Sequence, residues 1–199
     1  RGKFSFHAET TDKLLMLATN GRFYTLGCDR LPSGRGHGEP VRLMVDMKND
    51  HDVVGLFKHV SGRKLVVASS DGRGFIVPED EVVAQTRNGK QVLNVSGDNE
   101  ARACALVEGD TIAVVGENHK LVLFPLQDLP EMTRGRGVKL QSYKDGGLSD
   151  VKAFTMSEGL SWKSGDRTRT ETDLLAWVGK RSQAGRLAPK GFPRSNRFS

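Results

Sequence analysis

A hairpin pattern recurs three times in this chain, over residues 14–26, 64–77 and 111–124, and it constrains the fold more than any other feature. Each copy reads as an apolar run, a polar turn and a second apolar run. The turns are Thr19-Asn20-Gly21-Arg22, Ser70-Asp71-Gly72-Arg73 and Glu117-Asn118-His119-Lys120. Asn-Gly and Asp-Gly pairs supply the positive φ that a tight hairpin needs. Gly21 and Gly72 are 51 residues apart, and Gly72 and His119 are 47 apart. A period of that length, with several short strands per unit, predicts an all-β, propeller-like array of blades.

The segments after the hairpins repeat as well. Loops at residues 31–41, 83–92 and 129–138 are rich in Gly and basic residues, and each is followed by an apolar run, at 53–60, 101–107 and 151–156. Val41, Val92 and Val138 fall at matching places, 51 and 46 residues apart. The expected layout is a disc over residues 1–171, with three full repeats at 14–63, 64–110 and 111–159 and partial units at both ends. A strand at 3–7 opens the chain, and the unit begun at residue 160 is expected to stop before completing its loop, giving about four blades. Thr172 and Asp173 can cap a short helix over 172–184, with Leu174, Trp177 and Val178 on one face and Gly185 as the stop. Residues 185–199 read as a mobile basic tail.

At 199 residues the chain can bury a full core without a disulfide staple. Cys28 and Cys104 occupy different repeat positions with no Cys-x-x-Cys neighbour, which favours two reduced thiols in a cytosolic protein over a disulfide or metal site. No apolar run approaches the ~20 residues of a membrane span, and the start at Arg1, without Met or a signal-like segment, reads as a fragment of a longer protein. Residues 160–199 carry nine Lys and Arg against three Asp and Glu, which accounts for the whole net charge of +6. The remainder is neutral in sum but locally basic, and such a rim attracts a polyanion because field strength depends on where charge sits.

Glycine beside Arg or Lys lets a loop backbone approach a phosphate while N–H groups and cations point at it. Arg35, His37, Arg87, Lys90, Arg134 and Arg136 have that setting. One such loop is an ordinary flexible turn; three at matching repeat positions form a surface. Gly34-Arg-Gly-His-Gly38 precedes no helical pattern and is not a dinucleotide fingerprint. Catalytic constellations are missing. His7, His37, His51, His59 and His119 are scattered, and His51 between Asp50 and Asp52 reads better as a surface turn than as a metal site. Tyr24 and Tyr143 lie in strand-like or loop sequence, with nothing beside them to activate a nucleophile.

Leu31-Pro-Ser-Gly-Arg-Gly-His-Gly-Glu-Pro40, Ser70-Asp-Gly-Arg-Gly-Phe75 before Arg87-Asn-Gly-Lys90, and Phe124-Pro-Leu-Gln-Asp-Leu-Pro130 before Arg134-Gly-Arg-Gly137 carry a family resemblance. Over nearly its whole length the chain resembles the C-terminal domain of the A subunit of bacterial topoisomerase IV, in the gyrase A-like type IIA topoisomerase family. The resemblance implies a β-pinwheel, a disc whose blades exchange strands and whose rim binds and bends duplex DNA. Its expected DNA-binding set is Arg35, His37, Arg42, Arg73, Arg87, Lys90, Arg134, Arg136 and Lys139. The gyrase A relative carries a Gln-Arg-Arg-Gly-Gly-Lys-Gly box. No loop here matches it in full, and Arg134-Gly-Arg-Gly137 comes nearest, so the resemblance implies binding and bending rather than tight chiral wrapping. It also implies no cofactor in this domain, with ATP and magnesium belonging to the parent enzyme. The implied partners are double-stranded DNA, the catalytic part of the same polypeptide and the topoisomerase IV B subunit, in the cytoplasm at the nucleoid. A gyrase A wrapping domain and a protein-interaction propeller are the alternatives.

Overall fold

A computed structural model of the chain describes residues 12–27 and 51–199. Within them the regular elements are β-strands and short 3-10 turns, and no helix is long and apolar enough to cross a membrane. The three hairpins are β1 (Lys13–Ala18) with β2 (Arg22–Gly27), β4 (Lys64–Ser69) with β5 (Arg73–Pro78), and β8 (Thr111–Gly116) with β9 (Lys120–Pro125). The apolar runs that follow become the innermost strands β3 (Val53–Lys58), β7 (Ala101–Leu106) and β11 (Leu148–Phe154), paired with β1, β4 and β8. β7 packs between β3 and β11, which sets three blades side by side.

Each of these three blades is finished by a strand from the next unit. β6 (Lys90–Gln91) pairs with β2, β10 (Val138–Lys139) with β5, and β14 (Arg186–Leu187) with β9. The resulting orders are β3-β1-β2-β6, β10-β5-β4-β7 and β11-β8-β9-β14. The exchanged strands start at residues 90, 138 and 186, a period of 48, and each follows a glycine of positive φ: Gly89, Gly137 and Gly185. A Cβ on Gly137 would lie 2.1 Å from the Gly74 carbonyl oxygen, so the chain can enter the neighbouring blade only where a side chain is missing. This register corrects the phase expected from the valines. Val92 corresponds to Leu140, two residues beyond Val138, because the glycine and the ladder fix the phase and the matching valines do not.

The middle strands run apolar without alternation because both of their faces are covered. Leu65 and Val67 of β4 pack with Leu15, Leu17 and Phe23, whereas Val66 and Ala68 pack with Ile112, Val114 and Phe124. Glu79, fully buried between the first two units, accepts from the Val60 amide at 2.6 Å and Arg63 Nε at 3.0 Å and lies 2.6 Å from His59 Nδ1. Its charge is therefore partnered, as burial demands.

The C-terminal region departs from expectation. β12 (Leu160–Ser164) and β13 (Arg167–Glu171) form a fourth hairpin, and the unit does complete its loop, since β14 reaches back to β9 and the Lys163 amide donates to the Phe198 carbonyl at 2.9 Å. The helix expected over 172–184 is absent; only Leu175–Trp177 make one 3-10 turn. Its backbone donors are already used, with the Gly179 amide bonded to Leu123 O at 2.9 Å and that of Ser182 to Leu140 O at 3.0 Å. The tail is docked rather than mobile. Phe192 and Phe198 are buried against Trp162, Leu160 and Leu174, with Phe192 edge-on to Trp162 at 5.3 Å and to Phe198 at 5.4 Å. Two aromatic rings anchor a segment whose basic composition hides them.

Candidate nucleic-acid interface

The outer perimeter of the described disc is the line of seams where each exchanged strand meets its host. In the second blade, Arg73 opens β5 and is the register partner of Lys139 on β10. The loop before β10 brings Arg134 and Arg136 to the same seam. That loop is tightly held: the Met132 amide donates to Ile76 O at 2.8 Å, that of Gly135 to Val92 O at 3.0 Å, and Gly135 O accepts from the Asn94 amide at 2.8 Å. The Gly135 amide is thus occupied within the protein, so what this loop offers a phosphate is its cationic side chains. Arg134, Arg136 and Lys139 are all exposed. The expectation of glycine N–H groups aimed at phosphate does not hold at this glycine.

The first seam repeats the arrangement. Lys90 on β6 lies opposite Phe23 and Gln91 opposite Arg22. Lys90 Nζ donates to Glu81 O at 2.6 Å, and Arg22 Nη1 donates to Asn88 O at 3.2 Å. Arg87 is exposed in the same loop. The remaining expected residues, Arg35, His37 and Arg42, lie outside the described residues, as do Cys28 and His7. The third seam was missed by sequence reasoning. Arg186 on β14 lies opposite Leu121 of β9 and Leu187 opposite Lys120, Arg186 and Lys180 are exposed, and Arg181 Nη1 donates to Lys139 O at 2.8 Å, linking the third seam to the second. The readable signal was the glycine at 185, in step with those at 137 and 89.

Among the described residues, the tyrosines and histidines near this interface have the following settings. Tyr24 is buried and its hydroxyl accepts from Asn20 Nδ2 at 2.9 Å. The Tyr143 hydroxyl is buried without a hydrogen-bond partner, and burial, with Asp71 next in weight, holds it well above the usual phenol range. His51 Nδ1 lies 3.2 Å from Thr19 Oγ1. Among the described residues, no group of three or more His, Cys, Asp or Glu is placed to hold a metal ion.

The family model for the DNA gyrase C-terminal domain, beta-propeller, matches residues 12–59, 63–108 and 110–148. The chain belongs to that family. Within the family it is 49% identical over 196 residues to the A subunit of DNA topoisomerase 4 from Caulobacter vibrioides, covering 98% of this chain and 26% of that protein. It is 44% identical over 197 residues to the Rickettsia bellii counterpart, covering 99% and 27%. The chain therefore spans about a quarter of the length of these relatives. Its fold is similar to that of the E. coli ParC C-terminal domain (TM-score 0.77, 23% identity, 94% of this chain and 80% of that one). It is also similar to a DNA gyrase A C-terminal domain (TM-score 0.67, 11% identity, 89% and 60%). The propeller expected from the repeat is the family's fold, without the C-terminal helix.

Proposed function

We propose that this chain is the DNA-binding and DNA-bending domain of the A subunit of a topoisomerase IV, without catalytic chemistry of its own. One observation supports this most: cations of successive units recur at the same perimeter seam, Arg87 and Lys90, then Arg134, Arg136 and Lys139, then Lys180 and Arg186. A line of Lys and Arg on the exchanged strands and the loops that lead into them fits the regular phosphates of a duplex and carries no base-reading geometry, so binding is nearly independent of sequence. The duplex bends only where added rim contacts exceed the elastic cost, roughly 1–6 kcal/mol for a moderate bend.

In the parent enzyme the disc would hold the transported duplex and favour particular crossings. Strand passage, with its ATP and magnesium, belongs to the B subunit together with the catalytic part of the parent polypeptide, in the cytoplasm at the nucleoid. Topoisomerase IV rather than gyrase is favoured by the relatives matched along nearly the whole chain.

Replacing Arg134 and Arg136 together with Ala tests the reading. Affinity should fall alike for unrelated duplexes, and the slope of log K against log salt should shrink by roughly one to two units, near 0.9 per lost phosphate contact. An unchanged slope would remove this loop from the interface. Incubation with supercoiled plasmid, ATP and magnesium should leave the linking number unaltered.

A further inference from the structure

Within the phosphate-binding seam one acidic side chain stands among the cations. Asp71 occupies the turn between β4 and β5. Its Oδ2 lies 3.7 Å from Arg136 Nη2 and 3.9 Å from Arg73 Nε, and its Oδ1 accepts from the Ser69 hydroxyl. Arg73 and Arg136 come from different units, one at the start of β5 and one in the loop before β10, so the carboxylate sits where two guanidinium groups converge across the strand exchange. A carboxylate between two guanidinium groups holds the place that a backbone phosphate oxygen takes at such a fork.

The sister units show that the turn does not require this charge. The equivalent residues are Asn20 and Asn118. Asn20 Oδ1 accepts from the Arg22 amide at 3.0 Å and Asn118 Oδ1 from the Lys120 amide at 3.1 Å. A neutral amide therefore builds the same turn twice, and the carboxylate is peculiar to the second unit. Arg136 remains more than half exposed (57%) while Asp71 is largely covered (25%), so the guanidinium can swing to an arriving anion while the acid stays fixed.

We propose that Asp71 is a built-in competitor for the DNA phosphate at the second seam, lowering the affinity of Arg136 and Arg73 for the duplex and so weakening the middle of the track. This rests on the reading of the rim as a DNA interface. The consequence is a disc that releases its duplex more readily than its cation count implies.

The test is Asp71→Asn in the 199-residue chain, titrated with a mixed-sequence duplex over a range of salt. Affinity should rise about two- to five-fold at low salt, the range of an exposed ion pair, and the salt slope should steepen by about 0.9, one phosphate contact. Arg136→Gln should then cost more affinity in the Asp71→Asn background than in the parent. An unchanged or lower affinity overturns the proposal, because Asp71 would then be orienting Arg136 for binding. If melting shows Asp71→Asn to be unfolded, Asp71→Ser keeps a turn-forming oxygen and carries the same expectation. Steep salt dependence of the parent without a gain in the variant sinks this inference alone. Salt-insensitive binding by the parent would sink the DNA reading with it.

Discussion

The amide of Lys163 donates to the carbonyl of Phe198 at 2.9 Å, so the penultimate residue of the chain lies along β12 and closes the fourth unit. Ser149 Oγ donates to Asn196 O at 2.7 Å, and the Phe198 amide donates to Asp150 Oδ2 at 2.9 Å, joining the same segment to β11. The basic tail is therefore a strap across the last two blades.

Phe192→Ala should destabilise the chain by roughly 3–5 kcal/mol, the cost of a large-to-small change among packed rings. Arg194→Ala, on the exposed side of the same strap, should change it by no more than about 0.5 kcal/mol. Thermal melts of the two variants check this. Equal, small effects would mean that the strap does not hold the fourth blade.

Gly137→Ala should cost more than about 1 kcal/mol, because φ is +77° and the added Cβ meets the Gly74 carbonyl. Gly62→Ala, at φ +88° but with open space around it, suffers only the backbone strain. The difference between their melting midpoints measures how closely the exchanged strand is threaded.

The hairpins were legible because Gly21, Gly72 and His119 mark turns between apolar runs, and the family motifs lie in those turns and loops. His119 takes φ +65° without being glycine, and its imidazole packs edge-on to Phe192 at 5.7 Å. The strand exchange was not legible. Lys90–Gln91, Val138–Lys139 and Arg186–Leu187 are two residues long, too short to carry a period of two. The helical reading of Leu174, Trp177 and Val178 failed for a related reason. Leu174 enters the core, Trp177 Nε1 donates to Leu187 O at 2.8 Å, and Val178 bridges to Leu123, so three apolar residues at helical spacing serve three different contacts. Of the site, the loop cations were readable and the Arg73–Lys139 pairing was not, since it joins residues of different units.

Cys104 is partly buried, and desolvation of its thiol pushes its pKa up to about 12, with the nearby Glu79 carboxylate adding to the effect. In a Cys28→Ser background, alkylation of the native chain at about pH 8 should be far slower than that of the denatured chain, since the thiolate is the nucleophile. Equal rates would show an accessible, ordinary thiol.

Burial also raises the Asp150 pKa above the ordinary carboxylate value, outweighing the Phe198 and Val151 amides and the Arg197 charge that favour ionisation. A carboxyl whose folded pKa is raised opposes folding once it ionises. The penalty is absent below the unfolded value, grows as pH rises from the unfolded towards the folded value, and is complete above the folded one. Asp150→Asn should therefore melt higher than the parent at about pH 7, with the gap closing as pH approaches roughly 4, near the unfolded value. A variant that melts lower at neutral pH would show that losing one of the two oxygens that accept from the Phe198 and Val151 amides outweighs the relief of the buried charge.

Because the outer strand of each of the first three blades is borrowed from the following unit, a load on one rim loop passes directly into the sheet of the preceding blade. Under the proposed function, a duplex held at Arg134 and Arg136 would load β10 and, through its pairing with β5, the preceding blade. Tension on the rim would then be shared between adjacent blades, as in an interlaced ring segment rather than a stack of separate leaves.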